Sequence, residues 1–263
     1  MERATLRQKQ INRRRAELIQ RYPELWSRMI AEWNSNGGDD CAWLMYAANY
    51  LLRTGGARWA IDPVTLNNRV ALAPTMQTAR DLERLSFILL THFHADHLDL
   101  NLLHDLCGLP IRWVIPEALV PTVLSNTGLS KAQLLVPEVL QPFELDGVKI
   151  TPFEGLHAKV PEMSYLVEFK DKRWLFPGDI RTYDLSRLPS FGALDGLFAH
   201  LWLGKGCALE DKPAMLAPFC NFTLGLKPPR IVVTHLEELG RTAEDYWDRR
   251  HFQMVRKWFQ QHR

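Results

Sequence analysis

The stretch "LLTHFHADHLDL", Leu89 to Leu100, constrains this chain more than any other: it sets three histidines and two aspartates directly behind an apolar run. "LSFILL" just before Thr91 reads as a buried strand, because a strand covered on both faces shows no polar alternation. The segment after Thr91 is either a polar turn or a cradle for metal. His92 and His94 lie two residues apart, so on an extended backbone they project from one face. Asp96 and His97 come next and can aim at a neighbouring position, so one loop could feed two metals. A divalent ion needs about three or four protein ligands, and the loop alone cannot close two such sites. Further donors stand behind later apolar runs: His157 in "FEGLHAKVPE", Asp179 in "LFPGDIR" and His235 in "VVTHLEE". Asp62 in "AIDPV" occupies the same kind of place. His104, His200, His251 and His262 read as ordinary core or surface histidines.

The rest of the composition narrows the setting. The 263 residues are 46% hydrophobic, with nine tryptophans and twelve phenylalanines, which suits a well-packed globule. A formal net charge of +2 gives no global field towards nucleic acid or membrane. Cys41, Cys107, Cys207 and Cys220 are scattered without a C-x-x-C pair and read as reduced thiols. The opening "MERATLRQKQ" lacks the apolar core of a secretory signal, and no run reaches the roughly 18 apolar residues of a membrane span. A cytoplasmic protein is the expectation.

Along the chain, Arg3 to Arg21 is a charged helix with Arg13, Arg14 and Arg15 in sequence. Pro23 is expected to open a second helix, whose face is Leu25, Trp26, Met29, Ile30 and Trp33. The basic triplet reads as a solvated face, and the apolar face as packing on the domain or on a second copy of the chain. Residues 1–36 are expected to form an N-terminal helical extension, and 37–263 the main domain. From Cys41 the pattern turns to short apolar runs bounded by turns: "CAWLMYAANYLLRT", "RWAIDP", "GVKITPFEG", "SYLVEFK", "RWLFPGD", "GLFAHLWL" and "RIVVTH" read as strands. Helices are expected near Asp99–Leu106 and Pro116–Leu124. Thr242 with Asp245 resembles a capping box opening a last helix with Trp247, Met254, Val255 and Trp258 on its apolar side. The pattern suggests an α/β chain with two sheets packed together under helices.

"THFHADHLD" matches the HxHxDH signature of the metallo-β-lactamase superfamily, and Asp62, His157, Asp179 and His235 occur in the family's order, over roughly Cys41 to Gly240. The resemblance implies an αββα sandwich of two mixed sheets with two divalent ions at one edge, zinc first, manganese or iron as alternatives. It implies that His92, His94 and His157 hold one ion, that Asp96, His97 and His235 hold the other, and that Asp179 bridges them. Asp62 would orient the ligand loop from behind, as metal ligands generally require. Ions about 3.5–4 Å apart can share a water, lower its pKa towards roughly 7, and polarise a carbonyl or phosphoryl oxygen. Asp96 would take or relay the proton, so the family chemistry needs no serine or cysteine nucleophile.

Position 179 bears on the branch. β-Lactamases of the best-known zinc class carry cysteine there, whereas an aspartate bridge suits phosphoesters, lactones and thioesters. "HAKVPEMSYLVEFKDKRWLFPGD" is similar to the branch of ascorbate-6-phosphate lactonases, lipid-cleaving phosphodiesterases and tRNA 3′-processing ribonucleases. That branch often carries Trp-Leu-Gly-His in its first strand, where this chain has Trp43-Leu44-Met45-Tyr46. Tyr46 is thus a candidate substrate donor or a half-buried strand tyrosine. Lys205 between two glycines in "LWLGKGCA", with Arg181 just beyond Asp179, is the candidate anchor for a phosphate or carboxylate. The expected function is hydrolysis of a small anionic ester, lactone or phosphodiester. A nuclease is the first alternative, although the chain lacks a long basic insertion to grip a polynucleotide. A di-iron redox protein is the second, although no flavin domain is attached.

Overall fold

The computed structural model describes residues 2–66 and 76–262. Its strands form two six-stranded sheets, each read in the order of its hydrogen-bonded neighbours. The first runs β1 (Cys41–Leu44), β2 (Tyr50–Thr54), β3 (Ala57–Ile61), β4 (Phe87–Leu89), β5 (Arg112–Val114), β6 (Leu134–Leu135). The second consists of β7 (Phe143–Leu145), β8 (Val148–Glu154), β9 (Met163–Phe169), β10 (Lys172–Phe176), β11 (Gly196–His200) and β12 (Ile231–Thr234), in that lateral order. Both sheets are mixed. β1 to β3 pair antiparallel and β3 to β6 parallel. β7 to β10 pair antiparallel and β10 to β12 parallel.

Period-two alternation explains why the strand sequences are apolar throughout. Tyr50, Leu52, Trp59, Ile61, Phe87 and Leu89 meet Val148, Ile150, Tyr165, Val167, Phe176 and Phe198 between the sheets. Trp59 stacks on Phe87 with ring centroids 5.4 Å apart and meets Phe176 edge-on at 5.8 Å. The intervening residues Leu51, Ala60, Ile88 and Leu90 point outward into a second core. That core is closed by α1 (Glu2–Asn34), α3 (Leu100–Leu106) and α4 (Val120–Thr127), with the single turn α2 (Thr78–Asp81) beside them. On the other flank, Leu175, Leu197 and Ala199 pack beneath α5 (Leu216–Gly225) and α6 (Arg249–His262).

Two expectations are corrected here. Helix α1 runs unbroken for 33 residues with Pro23 inside it, not as two helices divided at Pro23. Proline removes one N–H···O=C bond from the ladder, and buried anchors on both sides of it hold the axis. The Tyr22 hydroxyl donates to the Met45 carbonyl at 3.0 Å, Trp26 Nε1 to Asp81 Oδ2 at 2.7 Å, and Trp33 Nε1 to the Leu52 carbonyl at 3.2 Å. The last helix starts at Arg249, and the Thr242–Asp245 segment is only a turn. Asp248 does the capping: its Oδ1 accepts from the Arg250 N–H at 3.0 Å and lies 2.9 Å from His251 Nδ1. In the basic triplet, Arg14 pairs with Glu237 at 3.0 Å and Arg13 with Glu17 at 3.0 Å. The four cysteines are free thiols. Among the described residues no helix is long and apolar enough to cross a membrane.

Candidate metal centre

Strand direction brings the donors together. β3 and β4 run parallel, and β8 is antiparallel to β9, which is antiparallel to β10. Hence β8, β10, β11 and β12 share one direction, and their C-terminal ends meet those of β3 and β4 along one edge of the sandwich. Asp62 comes after β3, the His92–His97 loop after β4, His157 after β8, Asp179 after β10, and His235 after β12. The two sheets are tied at this edge by Met163 N–H to the Thr91 carbonyl at 3.0 Å and His235 N–H to the Ala47 carbonyl at 2.9 Å.

Two donor groups result. Ligand atoms of His92, His94, His157 and Asp179 all lie within 4.8 Å of one another, and so do those of Asp96, His97, Asp179 and His235. Asp179 belongs to both. In the first group His92 Nε2 stands 3.0 Å from His94 Nδ1. In the second, His235 Nε2 is 3.0 Å from Asp96 Oδ2 and 3.6 Å from Asp179 Oδ1, and His97 Nε2 is 3.4 Å from that same oxygen. Nitrogen and oxygen donors in sets of four are what zinc and other borderline divalent ions take.

The residues behind these donors fix their tautomers. Asp62 is 1% exposed, and its carboxylate accepts from the Thr91 N–H at 2.8 Å, the Thr91 hydroxyl at 2.6 Å and His97 Nδ1 at 2.8 Å. With Nδ1 so engaged, His97 turns Nε2 towards the cage. Asn49 donates through Nδ2 to the Asp62 carbonyl at 2.6 Å and to the Asp96 carbonyl at 2.8 Å, joining the two corners.

Glu162 carries no mark of a site residue in the sequence. Its Oε1 accepts from the Asp179 N–H at 2.7 Å and lies 3.2 Å from His92 Nδ1. The carboxyl fills the space beside Gly155 and Gly178, where an added Cβ would come within 2.4 Å of it. Burial, and then the charge of Asp179, push Glu162 up to about 8, and burial with the neighbouring His97 takes His92 down to about 4.

His200, expected to be an ordinary histidine, ends β11 at the same edge, with Nδ1 3.1 Å from Asp179 Oδ1. It completes a row of imidazoles with His97 and His235 at centroid distances of 5.5 and 5.9 Å.

Electrostatics and hydrogen bonding test whether cations fit. Burial disfavours charge on His97 and His235, yet the surrounding carboxylates, Asp179 first among them, hold both above the usual histidine range. Asp179 and Asp96 lie well below the carboxylate range; burial opposes this, and the histidine and arginine neighbours outweigh it. The carboxylates of the second group thus favour positive charge among the donors, which a divalent ion would supply. His97 Nε2, both ring nitrogens of His157, and His235 Nδ1 are buried without a hydrogen-bond partner. Buried polar atoms are otherwise almost always paired, and His97 Nε2 faces Asp96 and Asp179 of the second donor group. The residues fit two ions.

Around the cluster, Arg181 Nη2 meets Asp179 Oδ2 at 2.6 Å while its guanidinium lies over Trp202 at 5.0 Å. Arg241, which sequence reasoning missed, reaches Asp96 Oδ2 at 3.2 Å and Glu238 Oε2 at 2.5 Å. Two cavities, of about 350 and 500 Å³, open beside the cluster and share His157, Arg181 and Arg241 as walls. Lys205 lines the larger. Tyr46 does not line either; its hydroxyl donates to the Leu239 carbonyl at 2.8 Å, and it borders an apolar groove beneath α1.

Comparison with known proteins agrees with this geometry. Residues 58–250 match the family model described as "Beta-lactamase superfamily domain". No curated protein matches the chain. Among solved structures, the metallo hydrolase Igni18 of Ignicoccus hospitalis is 17% identical with a TM-score of 0.60, over 83% of this chain and 91% of that one. The metallo-beta-lactamase fold protein YhfI of Bacillus subtilis is 15% identical with a TM-score of 0.58, over 81% and 83%. CmlA of Streptomyces venezuelae, a diiron beta-hydroxylase, is 16% identical with a TM-score of 0.59, over 87% of this chain but 52% of its own, so the chain spans about half of CmlA's length. With the family model covering most of the chain, and two shared-aspartate donor groups at the edge of a double sheet, the chain belongs to the metallo-β-lactamase superfamily and has the fold of its metal-dependent hydrolases.

Proposed function

We propose that the chain is a dinuclear metal-dependent hydrolase of a small anionic ester, lactone or phosphodiester, with zinc the first candidate ion and manganese or iron the alternatives. One observation carries it: two donor groups that share Asp179 stand at the mouth of cavities walled by Arg181 and Arg241. His92, His94 and His157 would hold one ion, Asp96, His97 and His235 the other, and Asp179 both. Bound there, the ions would supply an acidified water and a Lewis acid for the scissile oxygen. Asp96 lines the smaller cavity, so its carboxylate can accept a proton from the attacking water and return it to the leaving oxygen. Arg181 and Arg241 face the same space and offset the negative charge that grows on the substrate as the bond breaks.

Replacing His94 or Asp96 by alanine tests the assignment. Zinc- or manganese-loaded protein should turn over a chromogenic phosphodiester or lactone, and each variant should lose at least about 100-fold in kcat/KM, within the range general acid–base groups supply. Turnover that persists in both variants would place catalysis elsewhere. The fold likeness to CmlA favours a second reading, a di-iron oxidation centre. Elemental analysis separates them: two irons with no hydrolysis would select the second.

A further inference from the structure

The two cavities beside the cluster differ in chemistry. The smaller is lined by His94, Ala95, Asp96, Glu238, Gly240 and the shared residues. The larger has indole walls, Trp202 and Trp247, with Lys159 and Lys205 at its exposed rim.

The four cations of the larger cavity are not equivalent. Arg181 pairs with Asp179 and Arg241 with Asp96 and Glu238, so part of the charge that each turns to the cavity is balanced by the site's own carboxylates. Lys159 and Lys205 have neither an ion pair nor a side-chain hydrogen bond among the described residues. The carboxylate on this wall, Asp245, accepts from the Gly206 N–H at 2.8 Å and pairs with no cation among them. Two uncommitted ammonium groups thus stand at the exposed rim of an indole-walled cavity beside the donor groups.

We propose that the substrate carries two negative groups joined by a flat apolar spacer: the reacting ester at the metal cluster, the spacer against Trp202, and a carboxylate or phosphate held between Lys159 and Lys205. The inference rests on the hydrolase reading only for the chemistry of the reacting end. Trp202 suits the spacer because its ring is held in place by the Arg181 guanidinium over one face, so a second flat group meets a rigid surface at low entropic cost.

Binding of non-hydrolysable aryl phosphonates to metal-loaded protein, measured by calorimetry, tests it without requiring turnover. The probes are a series of phenyl and biphenyl phosphonates bearing a distal carboxylate, phosphonate or neutral carboxamide. At low salt at least one charged member should bind about tenfold or more tighter than its carboxamide twin. The advantage should vanish in the Lys159→Ala/Lys205→Ala double variant, while the carboxamides bind unchanged. Trp202→Ala should weaken every arylated probe relative to methylphosphonate, whereas Trp202→Phe should largely preserve them. If charged and carboxamide probes bind alike across the series, or the double variant keeps the preference, the second anion site is wrong. A charge preference in a protein that hydrolyses no ester would leave this subsite standing and remove the hydrolase reading alone. The carboxylate and phosphonate arms identify which oxyanion the lysines favour.

Discussion

Glu162 offers the sharpest test of how the ligand corners are held. Truncating it to alanine leaves the Asp179 N–H buried without its 2.7 Å acceptor, which costs about 1–3 kcal/mol. It also opens a void that Gly155 and Gly178 cannot fill, since neither has a side chain to move into it; deletions of this size cost about 2–3 kcal/mol when the surroundings cannot collapse. The Glu162→Ala protein should therefore lose roughly 3–6 kcal/mol of stability. Glu162→Gln keeps the volume and an acceptor oxygen, and it replaces a carboxyl that burial already drives towards neutrality. Its loss should stay below about 1 kcal/mol. Urea unfolding of chelator-treated wild type and both variants at pH 7 gives these values directly. Competition with a chelating dye should show metal affinity falling about 10–100-fold in Glu162→Ala, because His92 and the Asp179 backbone both lose their support. Equal losses for alanine and glutamine would refute the wedge argument, since it rests on volume and one accepted hydrogen bond.

Two further substitutions probe other links. Asp62→Asn puts an amide where three donors converge, so affinity for the ion held through His97 should drop about 10–100-fold; elemental analysis after gel filtration should then count fewer than two ions, and a full pair would clear Asp62 of this role. Asp248 is held well below the carboxylate range: burial opposes this, but hydrogen bonds from His251 and Arg7 and their charges prevail. A depressed folded pKa contributes stability that is complete above the unfolded value of about 4 and lost as pH falls below it. Asp248→Asn should thus melt below wild type at pH 7, with the gap narrowing below about pH 4, and a gap independent of pH would show that charge is not what Asp248 contributes.

Positions at the ends of apolar strands are legible from sequence, because a buried strand that hands its next residue to a rim leaves an abrupt switch from aliphatic to polar. His92, His157, Asp179 and His235 all carry that mark. His200 carries it too, at the end of "GLFAH", but a single buried histidine has no spacing to set it apart. Only the parallel pairing of β10, β11 and β12 reveals that its edge is the edge of Asp179 and His235. Glu162 and Asn49 act through other residues, across gaps of 17 and 47 positions, and no local pattern encodes such contacts. Arg241 sits in an irregular segment without periodicity. The misread helix at Pro23 has a different cause: proline's local cost is real, but hydrogen bonds to backbone carbonyls distant in sequence outweigh it.

The backbone at this edge shows what those distant contacts are for. Asp62 has φ of 43°, Ala158 beside His157 has 70°, and His235 and Glu237 have 66° and 56°. Non-glycine residues held there cost about 1–3 kcal/mol each and persist only where surrounding structure over-determines them. Hydrogen bonds and an ion pair supply that support. Asp62 N–H donates to the Leu89 carbonyl at 2.9 Å, and His235 N–H reaches across to Ala47. Helix α1 adds Arg14 to Glu237, and Gln8 accepts from the Ala243 N–H at 3.1 Å. Tyr22 of α1 holds the Met45 carbonyl, next to Tyr46, whose hydroxyl holds Leu239. The N-terminal helix thus braces the strained His235 corner from outside the sandwich, and Tyr46 belongs to that brace. Folding energy from both sheets and from α1 keeps the donors aimed at one edge, which couples the stability of the helix to the geometry of the two donor groups.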